Sequence, residues 1–276
     1  MTDTAVNLSD TSTWLPLDGL APGFDANKTD TTDELAGRTV TLTNSNGSVI
    51  EHRFTAERVR WSYDAADGDP HGDEDGDDAY EAIRVDEQLY YVQFHAEVRS
   101  NDAVSLMLDF RSGRALSVVT VIGEETAGRT RVRQIFEPGV IHGIETNGAE
   151  PAPTNALIGR RVLWVYSEQH AYEHVYLSPQ WYTWQCLAGP ERGLADTDEN
   201  SVWEMRPGIY VFAWREKVIP CASVTIADHR NARAIRSHGV LFGLDESGTT
   251  PVHFTFGAHG RLISTTVHPE PYDPAA

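Results

Sequence analysis

A carboxylate set among aromatic residues gives this chain its clearest chemical signal. Residues Ile209 to Glu216 read Ile-Tyr-Val-Phe-Ala-Trp-Arg-Glu. Strand side chains alternate faces. Tyr210, Phe212, Trp214 and Glu216 therefore share one face, and Ile209, Val211, Ala213 and Arg215 the other. If the aromatic face points inward, Glu216 is desolvated and its pKa rises. A carboxyl kept protonated near neutral pH contributes roughly 10²–10⁴-fold by proton transfer. Neighbouring segments add Trp164 and Tyr166, then Tyr172, His174 and Tyr176, then Trp181-Tyr182-Thr183-Trp184-Gln185. An aromatic cavity with one carboxylate and a few hydroxyls has the make-up of a small-molecule site. The plainer alternative is a packed aromatic core with Glu216 in water at a strand end. On the first reading Glu216 is the acid/base, Tyr166 and Tyr172 hold a phenol or carbonyl oxygen, and His174 relays a proton. Trp164, Trp181, Trp184, Gln185, Arg192, Tyr210, Phe212 and Trp214 complete the expected ligand-binding set.

Other motifs carry less. His170-Ala171-Tyr172-Glu173-His174 fits a zinc-peptidase pattern that needs both histidines on one helical face, but its flanks are strand-like. Asp67-Gly68-Asp69-Pro70-His71-Gly72 through Asp78 resembles a calcium loop with His71 at the fifth position, Asp78 in place of the final Glu and no flanking helices. A solvated acidic loop is the stronger reading. Arg129, Arg131 and Arg133 alternate, which places three charges on one strand face. No phosphate-cradling glycine loop and no G-x-S-x-G elbow is present. Neither half offers three ligand-type residues at recognisable spacing, so neither metal nor cofactor is expected.

The elements that position these residues come in two copies. Gly37-Arg38-Thr39-Val40-Thr41-Leu42 precedes Glu51-His52 as Gly159-Arg160-Arg161-Val162-Leu163-Trp164 precedes Glu173-His174. Further on, Tyr91 to Glu97 lies over Tyr210 to Glu216, which pairs Glu97 with Glu216, Gln93 with Phe212 and His95 with Trp214. Asp109, Arg111 and Arg114 fall on Asp228, Arg230 and Arg233. One domain has been duplicated; a solenoid would repeat every ~20–50 residues. From Arg38 onward, runs rich in Val, Thr, Tyr, Phe and Trp alternate with turn signals such as Asn46-Gly47, whose hairpin type needs positive φ at both residues. Only Asn27 to Leu35 suggests a helix. The expected fold is all-β, two tandem antiparallel barrels, since closure removes exposed edges. The expected layout is an arm over 1–33, a barrel over 34–145, a linker over 146–155, a second barrel over 156–268 and a tail over 269–276. Trp14-Leu15-Pro16-Leu17 is the arm's apolar staple onto a barrel end.

The chain has 276 residues, 22 basic and 41 acidic, for a net charge of −19. That charge argues against nucleic acid and anionic membrane surfaces as partners. Cys186 and Cys221 fit buried free thiols in a reducing cytosol. With no signal-peptide pattern in Met1 to Asp10 and no long apolar run, the expectation is a soluble cytoplasmic protein. Its expected partner is a small aromatic or phenolic molecule; a homo-oligomer is left open.

The second half resembles the MoaF family through Leu157 to Trp164, Ala171 to Tyr176, Tyr182 to Asp198 and Trp214-Arg215-Glu216-Lys217. The resemblance spans about residues 35–268 and implies a pair of lipocalin-like (calycin-like) barrels. The family's name records an association with molybdenum-cofactor genes and does not specify a reaction. A more distant similarity links the half to bacterial phenolic acid decarboxylases, single barrels without a cofactor, through Leu157, Gly159, Tyr166, Gly208-Ile209-Tyr210 and Trp214-Arg215-Glu216. Where that family places an arginine, this chain has Trp184 or Gln185. A substrate carboxylate would lack its bidentate cation, which argues against decarboxylation itself. The favoured function is a cofactor-independent lyase or isomerase on an aromatic or phenolic ligand. Its rivals are a non-catalytic binder of a pterin or cofactor intermediate, with Arg192, Arg215 and Lys217 as rim cations, and a lipocalin-like carrier.

Overall fold

A computed structural model describes residues 14–69 and 72–275. Its first eight strands are β1 (Thr39–Asn44), β2 (Val49–Phe54), β3 (Arg58–Asp64), β4 (Glu74–Asp86), β5 (Leu89–His95), β6 (Asp102–Asp109), β7 (Arg114–Ile122) and β8 (Val132–Ile141). Each pairs antiparallel with the next, and β8 returns to β1, closing a barrel. After the two-residue β9 (Ala152–Pro153) come β10 (Arg160–Val165), β11 (Ala171–Tyr176), β12 (Trp181–Ala188), β13 (Ala195–Arg206), β14 (Ile209–Arg215), β15 (Cys221–Asp228), β16 (Ile235–Leu244) and β17 (Pro251–Thr265). Pairing of β10 with β17 closes this second ring, and β9 adds to the margin of β13. Both rings are up-and-down meanders of the lipocalin kind, so the duplicated all-β architecture is present. Gly37 and Gly159 open the two barrels alike. Each has φ near +80°, which suits glycine, and donates its N–H, to Phe54 O and Tyr176 O respectively.

Local details depart from the sequence reading. At Asn46-Gly47 only the glycine takes positive φ, because Asn46 Oδ1 instead accepts the Ser48 N–H at 2.9 Å and builds a wider turn. Residues 28–33 form no helix. Lys28 bonds Glu81 and Thr255, and Thr32 N–H bonds Ala82 O, so this stretch is tied along both barrels. The one α-helix among the described residues, α1 (Leu17–Leu20), belongs to the arm. Asp78 is wholly buried in β4 and accepts the Trp61 indole N–H at 2.7 Å, so it does not complete a calcium loop. Pro70 and His71 of that motif, and Met1 to Asp10, lie outside the described residues.

The barrels share a core. Leu89, Tyr91, Met107, Leu116 and Val118 of the first join Ile209, Val211, Ala213, Val224 and Ile226 of the second in one buried cluster. Beside it Arg206 donates to both oxygens of Asp109, at 2.7 and 2.8 Å, and to Asp86 at 2.9 Å. Burial pushes the Asp109 carboxyl up, but the Arg206 bonds outweigh it and hold the group below the usual range. Removing one partner of a buried pair strands the other charge. Asp109→Ala should therefore lower stability by about 3–5 kcal/mol in urea denaturation. A loss below about 1 kcal/mol would place the pair with surface ion pairs.

Candidate functional site

Two carboxyl groups meet inside the second barrel. On β13, Asp198 and Asn200 point inward, and Asp198 Oδ2 accepts the Trp184 indole N–H at 2.8 Å from β12. Glu216 follows the last residue of β14 and begins the turn to β15. Its Oε1 accepts the N–H groups of Lys217 and Val218 at 2.8 and 3.1 Å, and its own N–H bonds Cys221 O. Acceptor oxygens of Asp196, Asp198 and Glu216 lie within 4.8 Å of one another. Burial first, and then the Asp198 charge, push the Glu216 pKa well up, and its two backbone donors only partly offset this. Burial likewise raises Asp198 against the opposing Trp184 bond. Asp198 Oδ1 is buried without a donor, a gap that a proton on Glu216 would fill. Two close carboxylates resist joint ionisation and titrate as a pair.

Glu216 of the pair borders an aromatic cavity of about 60 Å³. Tyr166, Tyr172, His174, Trp184 and Trp214 line it with Glu216, as the alternation of faces requires. A second void of about 10 Å³ continues deeper and brings in Trp164, Tyr210 and Phe212. Gly260 opposite makes room there, since a Cβ at that position would overlap the Trp164 ring. Tyr172 donates its O–H to Glu191 Oε2 at 2.8 Å, leaving its oxygen as an acceptor. His174 is packed among Trp164, Tyr176, Tyr182 and Phe212, and burial lowers it to about 3, so it is a neutral imidazole with Nδ1 unpartnered. Glu173 lies on the same strand, bound to Arg161, which removes the zinc-peptidase geometry. Cys221, a free thiol, sits in the wall.

Three expected ligand residues fall elsewhere. Trp181 and Gln185 occupy the exposed phase of β12, whose inward phase is Tyr182, Trp184 and Cys186, and Arg192 is exposed in the loop before β13. Sequence reasoning missed Asp198, Glu191 and Tyr182. Alternation along Trp181 to Cys186 would have found Tyr182; no local pattern marks the two acids. It also missed the lid, because Trp14, Leu20 and Phe24 of the arm line the cavity. Phe24 stacks on Tyr166 at 4.2 Å, and Trp14 meets Trp184 edge-on at 5.4 Å.

Models of two domains match the chain: MoaF N-terminal domain over residues 12–124 and MoaF C-terminal domain over 151–266. Protein MoaF of Klebsiella aerogenes is 32% identical over 201 residues, covering 68% of this chain and 74% of that protein. The chain belongs to the MoaF family. Two solved structures also align, at likenesses too slight to carry an argument. One, from Burkholderia vietnamiensis, is provisionally described as a beta-lactamase (15% identity, 39% of this chain, 95% of that one, TM-score 0.33). The other is a protein of unknown function from the DUF3598 family of Nostoc punctiforme (9% identity, 81% and 93%, TM-score 0.34).

The two halves of this MoaF chain differ at the site in an instructive way. Trp61 and Asp78 reproduce the Trp184–Asp198 bond, and buried His52 reproduces His174. The strand ladders, however, set Tyr90 opposite Arg84 as they set Tyr210 opposite Glu204. Ala96 N–H bonds Asp102 O as Glu216 N–H bonds Cys221 O. Structurally, Glu216 therefore falls on Ala96, and the expected match with Glu97 is one residue out. Likewise Phe212 and Trp214 fall on Val92 and Phe94. Glu97 is exposed beside Arg58, and its N–H satisfies Asp78 Oδ1 at 2.8 Å. A second carboxyl thus faces the aspartate in only one barrel.

Asp196, Asp198 and Glu216 are also the group among the described residues that could hold a metal ion. No spacing in the sequence marks these three, because β13 and the β14–β15 turn bring them together across the sheet. Asp196 is engaged by Lys217 at 3.1 Å. A raised native pKa favours folding where the group is protonated, below its unfolded value of about 4.3. That contribution disappears as pH rises through the raised native value. Glu216→Gln should melt like the wild type at pH 4 and progressively higher than it towards pH 9. A pH-independent difference would mean that Glu216 is not shifted.

Proposed function

We propose that this MoaF protein is a cofactor-independent lyase or isomerase for a small aromatic or phenolic molecule, with Glu216 as general acid/base. The observation that carries this reading is the buried Asp198–Glu216 pair on an aromatic wall. Such a pair keeps one proton at neutral pH and can deliver it to a ligand atom without bulk water. Delivery leaves Glu216 ionised beside Asp198, whose Oδ2 keeps the Trp184 N–H, and the repulsion of the two charges favours Glu216 taking a proton back from the ligand to close the cycle. The Tyr172 oxygen, its proton committed to Glu191, accepts from a ligand hydroxyl, while Tyr166 and Trp214 present ring faces and edges. His174 supplies a neutral imidazole nitrogen.

The cavity is far below the roughly 300–1,000 Å³ of ordinary ligand sites. Admission of a ring requires Trp14, Leu20 and Phe24 to move outward. A phosphate-bearing pterin is supported less well. The cavity wall contains no Lys or Arg, and Arg192, Arg215 and Lys217 are not in it. A carrier would have no use for a second carboxyl, which makes the barrel harder to fold at neutral pH.

The test is a panel of para-hydroxyphenyl compounds with activated side chains, followed by ultraviolet absorbance and by deuterium uptake from heavy water. Wild type should convert at least one compound. Glu216→Gln should abolish turnover and change ligand affinity by less than about threefold, since the amide keeps shape but cannot exchange a proton. Glu97→Gln should behave as wild type. If Glu216→Gln turns over normally, the residue is structural and the assignment is wrong.

A further inference from the structure

The basic run that follows β7 has no part in that chemistry, yet the fold gathers it around a second and larger space. A half-open groove of about 540 Å³ lies between the barrels, lined by Arg129, Arg131 and Arg133 of the first and by Arg215 of the second. Two carboxylates, Glu124 and Glu199, also line it. Arg131 is held by backbone oxygens, through Nε to Gly123 O at 2.9 Å and Nη1 to Gly248 O at 3.3 Å. Arg215 is pinned by Gln134 Oε1 at 3.0 Å and by Glu199 at 3.3 Å. Gln134 in turn bonds Ser223 O across the barrel interface at 2.8 Å. Arg129 and Arg133 make no ion pair among the described residues.

Four guanidinium groups around one groove are unexpected in a chain of net charge −19, where the surrounding field favours pairing each arginine with an acid. We infer that this groove is a binding site for a small phosphorylated molecule carrying at least two negative charges. The arginines approach from a loop, from the start of β8 and from the opposite barrel. Tetrahedral phosphate accepts donors from such diverging directions, whereas a carboxylate takes them in its own plane. The same net charge repels a polymeric anion, so a small molecule fits better than a nucleic acid. Arg215 precedes Glu216 on the chain, which sets the groove on the outer side of the strand whose inner side bears Trp214.

Inorganic pyrophosphate serves as the probe, titrated calorimetrically into the full chain at low ionic strength. Saturable binding near one per chain is expected, and Arg129→Ser/Arg133→Ser should weaken it by at least about tenfold. Both side chains are exposed, so this variant should keep its circular dichroism and melting point. The control Arg233→Ser/Arg261→Ser removes the same charge from exposed positions outside the groove and should bind as wild type. Absence of saturable binding to wild type, or equal weakening by the control pair, would overturn the site. Citrate binding as tightly as pyrophosphate would overturn the assignment to phosphate.

Discussion

The outer face of β14, formed by Ile209, Val211 and Ala213, is buried against the first barrel together with Tyr91, Met107, Leu116 and Val118. The strand that leads to Glu216 therefore has no solvent side. Its inner residues, Tyr210 and Phe212, belong to the second barrel's own core. A strand packed on both faces has little freedom to twist or slip, because a one-residue slip would drive every side chain to the wrong face. The duplicated partner thus acts as a backing plate for the site. The Arg206–Asp109–Asp86 cluster fixes the same contact at its margin.

On that rigid support the barrel tolerates an arrangement that opposes folding. Glu216 and Asp198 repel when both are ionised, and burial denies them water. The first barrel shows the relaxed alternative, with Ala96 at the glutamate's place and Asp78 satisfied by a backbone N–H. Retaining a second carboxyl in the other barrel is intelligible where a protonated acid has work to do. The arm completes the enclosure. Leu17 and Phe24 are buried in the second barrel's core although they precede the first barrel in sequence, so the chain's two ends cooperate in closing one cavity.

The repeat, the barrel class and the aromatic inward faces were legible because period-2 alternation and matched turn glycines are local signals. Face alternation placed Tyr166, Tyr172, His174, Trp214 and Glu216 correctly with respect to the interior. What the sequence concealed depended on register and distance. Tyr91 to Glu97 matches Tyr210 to Glu216 by letters, but the turn after β5 is one residue longer than the turn after β14, so the two strands correspond one residue away from that match. Asp198 lies on the strand beside β14, and its role depends on the strand register that sets it beside Glu216, which no spacing announces. The outward phase of Ile209, Val211 and Ala213 looks like an ordinary strand back, because an interface between barrels leaves the same apolar pattern as a core.

The shared proton is most directly visible by infrared difference spectroscopy at neutral pH, comparing wild type with Glu216→Gln in water and in heavy water. A proton held by the Asp198–Glu216 pair predicts a carboxylic-acid carbonyl band in wild type that shifts in heavy water and is missing from the variant. A wild-type spectrum with only carboxylate bands at neutral pH would show both groups ionised and contradict the acid/base assignment.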